Sequence, residues 1–156
     1  MPADCPNLTC RAAHPPSDAG REVEPEAGQA VVRLRLLATT DMHAHILPWD
    51  HHTDRPAEAR GLARVARLID VARAEAPQSL LLDNGDFLHG SALGDHWASI
   101  APRRRRPHPM IVAMNRLGYD AATLGNHEFS RGIGFLCAAL EGARFPLVSA
   151  NAHLKR

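Results

Sequence analysis

Three short polar patches in this chain combine carboxylate, amide and imidazole groups. They are Asp41-Met42-His43, Asn84-Gly85-Asp86 and Gly125-Asn126-His127-Glu128. Each patch comes directly after an apolar run that is typical of a β-strand. Because loops at the carboxyl ends of neighbouring strands converge in space, the three patches can build one polynuclear metal site. The chemistry that this donor set indicates is two-metal hydrolysis of a phosphoester.

The first two patches supply oxygen and nitrogen ligands at close spacing. Asp41 and His43 are two residues apart, so on an extended strand end both side chains point to the same side and can bind one cation. Gly85 removes side-chain bulk where the backbone must approach a metal ion or a phosphate. The two carboxylate oxygens of Asp86 can bridge two cations that lie about 3.5–4 Å apart.

The third patch is the most specific of the three. The first patch alone is a weak signal, and a Gly-Asp pair alone is more often an ordinary turn. The cluster Gly125-Asn126-His127-Glu128, in contrast, follows an apolar run and has no role in packing a core. Asn126 offers a neutral amide oxygen, and His127 can act as a ligand or as a general acid. The occurrence of all three patches in this order favours a site over coincidence.

Composition narrows the classes of function. The chain has 156 residues, a formal charge of +1, and ten histidines against a single tyrosine. The near-zero charge gives no reason to expect nucleic acid or an acidic membrane surface as a partner, and the excess of histidine fits a metal site. No window approaches the roughly 18 apolar residues of a membrane span. Three cysteines do not make a disulfide framework.

Strands and helices are predicted to alternate along the chain. Residues 1–30 are rich in proline, alanine and acidic residues, and are predicted to be a disordered leader without a secretory signal. Hydrophobic periodicity predicts strands at 31–40, 79–82, 121–124 and 146–150, and helices at 60–76, 108–117 and 133–140. Residues 45–56 and the arginine run 103–106 are predicted to be solvated loops. This order indicates an α/β sheet with right-handed crossovers.

Longer stretches around the patches resemble the calcineurin-like metallophosphoesterases, in particular the 2′,3′-cyclic-nucleotide 2′-phosphodiesterase/3′-nucleotidase branch of the 5′-nucleotidase group. The segments that carry the resemblance are Leu36-Leu37-Ala38-Thr39-Thr40-Asp41-Met42-His43, Gly61-Leu62-Ala63-Arg64, Leu82-Asp83-Asn84-Gly85-Asp86, His108-Pro109-Met110, Leu117-Gly118-Tyr119-Asp120 and Thr123-Leu124-Gly125-Asn126-His127-Glu128-Phe129. The similarity runs from about Leu34 to Ala152. It implies the N-terminal half of a metallophosphoesterase α/β sandwich.

The resemblance also implies a role for each residue of the patches. Asp41 and His43 would hold one divalent ion, Asp86 would bridge, and Asn126 would bind the second ion. His127 would stabilise the transition state or protonate the leaving oxygen. The supporting residues would be Glu128, Gly85 and Gly125. The two ions would be Mn, Zn, Fe or Ca, and the substrate a nucleotide, with no nucleic acid and no membrane as partner.

Departures from the family pattern keep alternatives open. Ser130 stands where 5′-nucleotidases often have an aspartate, and Arg131 stands where an aromatic residue is usual. The family's later histidine ligands and nucleoside-binding domain are absent from these residues, so 31–156 is predicted to be a partial domain. The chain would then be an enzyme segment, or an inactive fragment that pairs with a complementary chain supplying the missing half. The family implies a periplasmic location, whereas the lack of a signal sequence leaves a cytoplasmic one open.

A rival function within the metal hydrolases is an amidohydrolase-type site. It would use His43 and His45, two imidazoles separated by one residue. The Gly-Asn-His-Glu patch has no role in that site. The phosphoesterase function therefore accounts for more of the sequence, with a 5′-nucleotidase as its alternative within the same family.

Overall fold

A parallel sheet of five short strands lies at the centre of the chain. The computed structural model describes residues 8–10, 32–104, 106–150 and 152. Their elements, in chain order, are β1 (Leu8–Cys10), β2 (Arg35–Thr39), β3 (Trp49–Asp50), β4 (Arg55–Pro56), α1 (Leu62–Glu75), β5 (Ser79–Asp83), α2 (Ala92–Arg104), α3 (Pro109–Leu117), β6 (Ala121–Ala122), the 3₁₀ turn η1 (His127–Phe129), α4 (Gly132–Ala139) and β7 (Leu147–Ser149). This order confirms the predicted α/β class.

The register of the sheet brings the ends of three strands to one edge. The strand order is β1-β7-β6-β5-β2, and every neighbouring pair is parallel. Thr39 at the end of β2 pairs with Asp83 at the end of β5, and Asp83 pairs with Ala122 at the end of β6. The three polar patches therefore follow the carboxyl ends of adjacent strands, as the sequence predicts.

The helices begin and end where local chemistry requires. His108 caps α3, because its Nδ1 accepts a hydrogen bond from the Met110 amide at 3.2 Å, and Pro109 occupies the first turn. Gly118 ends the same helix in the left-handed conformation, which confirms the predicted stop. Burial lowers the pKa of His108 to about 4, so the cap is a neutral imidazole.

The core lies between one face of the sheet and the helices. Its buried side chains come from both layers: Leu62, Ile69, Leu81, Phe87, Leu88, Trp97, Met110, Ile111, Met114, Tyr119, Ala122, Leu136, Ala139, Leu140, Phe145 and Leu147. The crossovers from β2 to β7 all advance across the sheet in one direction. Right-handed crossovers that advance this way place their helices on a single face.

The other face of the sheet, which we call the open face, is defined by Leu36, Ala38, Leu82 and Val148. Leu36 is 62% exposed and Val148 is 49% exposed. The four side chains alternate along their strands with less exposed residues of the core face, and three of them line a cavity of about 480 Å³. Parallel sheets are normally covered on both faces. The open face is therefore an apolar surface of the kind that further polypeptide covers.

Three segments differ from the prediction. Leu8–Cys10 lies within the predicted disordered leader but forms a strand, because the exposed edge of β7 offers it parallel pairing partners; the rest of that leader lies outside the described residues. The predicted loop at 45–56 contains the hairpin β3–β4, whose turn is held by Asp50 Oδ1, an acceptor for the amides of His52 and Thr53. Helix α2 continues to Arg104, so the predicted arginine loop begins inside a helix. In the described part of the chain, no helix combines the length and the apolarity needed to cross a membrane.

Candidate metal centre

The loops after β2 and β5 continue side by side beyond the ends of their strands. The amide of Asp41 donates to the carbonyl of Gly85 at 3.0 Å, and the amide of His43 donates to the carbonyl of Asp86 at 2.8 Å. The next pair, Ala44 to Phe87, is 2.9 Å long. The backbone of the first patch is thus fixed to that of the second by hydrogen bonds, which sets the spacing of their side chains.

The same loops hold several residues in the left-handed region. The backbone φ is 54° at Asp41, 45° at His43, 55° at Ala44 and 59° at Asp86. Residues other than glycine rarely adopt this region, and each instance costs of order 1–3 kcal/mol. Such conformations persist only where surrounding contacts over-determine them, and they cluster at functional sites. The strain here falls on the first two polar patches and the residue after the first.

Two glycines allow the second and third patches to touch. Gly85 has a φ of 97°, and a Cβ there would lie 2.4 Å from the amide nitrogen of Gly125. A Cβ on Gly125 would lie 2.1 Å from Oδ1 of Asp86. Both distances are shorter than any van der Waals contact. These positions require glycine because no side chain fits between the loops.

A single buried carboxylate ties the two loops together. Glu128 is fully buried and accepts four backbone hydrogen bonds, from the amides of Asp86 (2.7 Å), Phe87 (2.9 Å), Leu88 (3.0 Å) and Gly125 (2.8 Å). A buried anion is tolerated only when it is paired or fully hydrogen-bonded, and here the amides supply that compensation. Glu128 therefore holds the backbone on both sides of the cluster.

Three donor side chains converge between these loops. One ligand atom from each of His43, Asp86 and His127 lies within 4.8 Å of the other two. Oδ1 of Asp86 also accepts a hydrogen bond from the amide of His127 at 2.8 Å, which links the second loop to the third. Imidazole nitrogen and carboxylate oxygen at this spacing are the donor set of a divalent transition metal site.

The contacts of His43 prepare one nitrogen for a metal. Its Nδ1 lies 2.9 Å from the carbonyl oxygen of His89, which can only accept, so Nδ1 is the donor of this hydrogen bond and Nε2 is the nitrogen left to face a metal ion. Nε2 lies 3.7 Å from Oδ1 of Asp41. The residues present therefore fit a metal ion: His43, Asp86 and His127 present donor atoms around one space, and the carboxylate of Asp41 lies beside His43.

The remaining predicted residue, Asn126, lies at the start of η1. It is exposed and directly precedes His127, and its carbonyl accepts a hydrogen bond from the amide of Phe129. Of the three converging donors, it is a chain neighbour of His127 alone. The role of its amide as a ligand stays a prediction.

Sequence reasoning missed His89. Its ring centroid lies 5.6 Å from that of His127. The His127 ring makes a second such contact, with the His43 ring, at a centroid distance of 5.0 Å. The Gly-Asp motif gives no reason to expect a site residue at position 89, three residues after Asp86. The signal that existed was the excess of histidine and the following Gly90, where a Cβ would lie 2.6 Å from Nδ1 of His43.

Asp83 supports the end of β5 beneath the cluster. Its carboxylate is 3% exposed and accepts hydrogen bonds from the Thr39 hydroxyl and from the amide of Gly85. Burial, with a smaller effect of Glu128 and Asp41, raises the pKa of Asp83 to about 6. The Thr39 hydroxyl also bonds Tyr119, whose pKa burial raises to about 12. This network joins β2, β5 and the segment before β6.

His45 lies outside the donor cluster. It lines a separate cavity of about 360 Å³ together with Asp41, Arg60 and Arg64. Burial lowers the pKa of His45, and the positive charge of Arg60 lowers it further. The pairing of His43 with His45 that an amidohydrolase-type site needs is not the grouping seen among the described donors, which joins His43 to Asp86 and His127.

Comparisons with known proteins agree with this geometry. The sequence model of the calcineurin-like phosphoesterases matches residues 34–151. The chain is 46% identical over 125 residues to a 2′,3′-cyclic-nucleotide 2′-phosphodiesterase/3′-nucleotidase of Yersinia enterocolitica, an alignment covering 80% of this chain and 19% of that protein. It is 42% identical over 141 residues to the trifunctional nucleotide phosphoesterase YfkN of Bacillus subtilis, covering 88% of this chain and 9% of that protein.

A solved structure shares the fold. The crystal structure of the calcineurin-like phosphoesterase YfkN from Bacillus subtilis superposes with a TM-score of 0.69 and 44% identity, covering 74% of this chain and 36% of that one. The chain thus spans a fifth or less of the length of these curated relatives. The matches confirm the resemblance that the sequence motifs carry.

Proposed function

Because the chain belongs to the calcineurin-like phosphoesterase family, we propose that it supplies part of a dimetal centre that hydrolyses phosphoesters of nucleotides. The substrate class is that of a 2′,3′-cyclic-nucleotide 2′-phosphodiesterase/3′-nucleotidase, the name of the relative at 46% identity. The observation that carries the proposal is the convergence of His43, Asp86 and His127 at the ends of adjacent strands. No core-packing requirement explains that grouping.

In this proposal Asp41 and His43 would hold one ion, Asp86 would be shared between the two ions, and Asn126 would hold the second. The ions, each Mn, Zn, Fe or Ca, would acidify water and neutralise charge on the phosphoryl oxygens. The geometry around Asp86 supports a bridging role, because its amide is held by Glu128 and its Oδ1 by the His127 amide. Because Asp86 is anchored at both points, its carboxylate can keep its orientation without a bound metal ion.

His127 is proposed to give a proton to the departing ribose oxygen. Its ring is packed edge-on between two other imidazoles, those of His43 and His89, so its orientation is defined. The 3₁₀ turn that begins at His127 is fixed to the second loop through Glu128, Gly125 and Gly85. These supporting residues act on position only.

A second candidate is an incomplete centre that functions only with further polypeptide. The open face supports it, because Leu36 and Val148 are exposed on a parallel sheet that normally has two covers. We propose that the cover is a further segment or a complementary chain that also brings the missing histidine ligands. By family resemblance we further propose a periplasmic location.

The test is metal-dependent hydrolysis by the purified chain. The substrates are 2′,3′-cyclic AMP, 3′-AMP, 5′-AMP and bis-p-nitrophenyl phosphate, each with and without Mn²⁺ or Zn²⁺. Turnover of the first two that is lost in Asp86→Asn and His127→Ala supports the cyclic-nucleotide proposal. Turnover of 5′-AMP alone would favour a 5′-nucleotidase instead. The matched controls are Asp54→Asn and His96→Ala, which change exposed residues away from the cluster.

Absence of turnover is informative when metal binding is measured in parallel. Calorimetric titration that gives tight Zn²⁺ binding in the wild type and none in Asp86→Asn, without turnover, would support the incomplete centre. A folded wild-type chain with neither binding nor turnover would overturn the proposed function.

A further inference from the structure

We propose that His89 is a positioning residue of this site, whose ring holds the imidazole of His127 in the orientation that the reaction needs. The inference rests on the proposed function, since it assigns a role to a neighbour of the proposed catalytic group. The juxtaposition that carries it is an edge-to-face contact between the two rings, with centroids 5.6 Å apart and planes at 70°. Edge-to-face pairs of this kind are worth more than their buried area alone.

The backbone that carries the His89 ring is anchored on both sides. Before it, the amides of Phe87 and Leu88 donate to the buried carboxylate of Glu128. After it, the Ser91 hydroxyl donates to the carbonyl of Ala44 and accepts from the first turn of α2. Because its backbone is fixed, the His89 ring can restrict the orientation of the His127 ring that it contacts. A ring on a mobile, exposed loop could not do so.

The same residue also touches His43. The His89 carbonyl accepts a hydrogen bond from His43 Nδ1 at 2.9 Å. The next residue, Gly90, has a φ of 124° and leaves no space for a Cβ beside the His43 ring. His43 and His127 are themselves in edge-to-face contact, with centroids 5.0 Å apart. His89 is therefore in contact with both imidazoles of the donor cluster, through its carbonyl with one and through its ring with the other.

The ring nitrogens of His89 and His127 indicate that packing, not a hydrogen bond, makes the contact between the two rings. Nδ1 of His89 and Nδ1 of His127 are both buried, and neither has a hydrogen-bond partner among the described residues. The contact between the rings is thus made by packing. A phenyl ring at position 89 can reproduce that packing, whereas an aliphatic or amide side chain cannot.

The experiment compares His89→Phe, His89→Leu and His89→Gln with the wild type. The first readout is the NMR order parameter of the His127 Cε1–H group in the metal-free chain, and the second is Zn²⁺ affinity by calorimetry. Loss of the ring in the Leu and Gln variants is expected to lower the order parameter from about 0.85 to below about 0.6. Zn²⁺ affinity is expected to fall about tenfold, because His127 is also one of the three converging donors and loses the group that orients it.

The Phe variant decides between a ring contact and a general packing role. It is expected to keep the order of His127 and to bind Zn²⁺ within about threefold of the wild type, a smaller change than loss of an orienting group causes. An unchanged His127 in the Leu and Gln variants would overturn the proposal. So would a Phe variant that folds as the wild type does and yet resembles the Leu variant.

The controls separate this proposal from the proposed function. His96→Leu changes an exposed histidine of α2 and is expected to leave both readouts unchanged. Urea unfolding of every variant identifies any general loss of the fold. Failure of the wild type to bind Zn²⁺ would remove the proposed function, while the order of His127 in the metal-free chain still tests the role of His89.

Discussion

The edge of the sheet where the three polar patches meet is held together by hydrogen bonds between its own loops, whereas side chains on the open face of the same sheet stay exposed. At the edge, Glu128 satisfies four amides and the loops of the donor cluster are bound to one another. On the open face, Leu36 and Val148 remain exposed although they belong to the same sheet. The difference indicates that the loops of the donor cluster fix one another, whereas nothing among the described residues packs over Leu36 and Val148 to a comparable degree.

The largest loss of stability should come from substitution of Glu128, whose hydrogen bonds hold the loops of the donor cluster together. Glu128→Gln keeps the shape of the side chain but places an NH₂ group against two of the four donating amides. Each buried amide left unpaired costs about 1–3 kcal/mol, so we expect a loss of about 4 kcal/mol in the free energy of unfolding. Urea unfolding measures it, with Glu141→Gln on the surface as the matched control. A loss below about 1 kcal/mol would contradict the central role of Glu128.

A smaller but still large effect is expected from Gly125→Ala. The added Cβ would lie 2.1 Å from Oδ1 of Asp86, so the proposed bridging carboxylate must move. We expect a destabilisation of about 2–3 kcal/mol, as for other overpacked positions, together with weaker Zn²⁺ binding. The control is Gly134→Ala in α4, where a Cβ meets nothing within 4 Å and helix propensity gives a gain of about 0.5 kcal/mol. Equal effects of the two substitutions would disprove the steric argument.

Local sequence patterns predict the elements and the polar patches, but not the contacts between distant residues that complete the site. The polar patches, the alternation of strands and helices and the Gly118 stop all depend on local signals, and the structure has them where predicted. His89 and the network of Asp83 depend on contacts over more than 35 residues, and no local pattern reports such contacts. The sequence does not predict the hairpin formed by Trp49–Asp50 and Arg55–Pro56, because strands of two residues are too short for a periodic pattern.

A third prediction concerns the pH dependence of stability. The pKa of Asp83 is raised to about 6 from the value of 3.8 that it has in an unfolded chain. Between these values the folded chain holds an additional proton, so the carboxyl lowers the free energy of unfolding as the pH rises from 3.8 to 6, and the full penalty remains above 6. Asp83→Asn should therefore stabilise the chain by about 3 kcal/mol at pH 8 and by little at pH 4.

The substitution preserves the hydrogen bonds that matter. An asparagine oxygen can still accept from the amide of Gly85, and its NH₂ can donate to the Thr39 hydroxyl. Urea unfolding in a metal chelator at pH 4 and pH 8 measures the difference. The pKa of His108, lowered to about 4, gives the opposite slope between pH 4 and 6.5, and that slope should remain in the variant. The same gain at both pH values would mean that ionisation of Asp83 is not its cause.

The smallest effect on stability is expected on the open face. Leu36→Lys and Val148→Lys replace side chains of which about half or more is already exposed, so the free energy of unfolding should change by less than about 0.5 kcal/mol. Self-association measured by light scattering should fall, because each lysine interrupts a contiguous apolar surface. The control is Leu147→Ala, one residue from Val148 but 1% exposed, which should cost about 3 kcal/mol. A loss from the lysine variants approaching that of Leu147→Ala would mean that this chain covers its own sheet on both faces, and the contrast between the two regions would disappear.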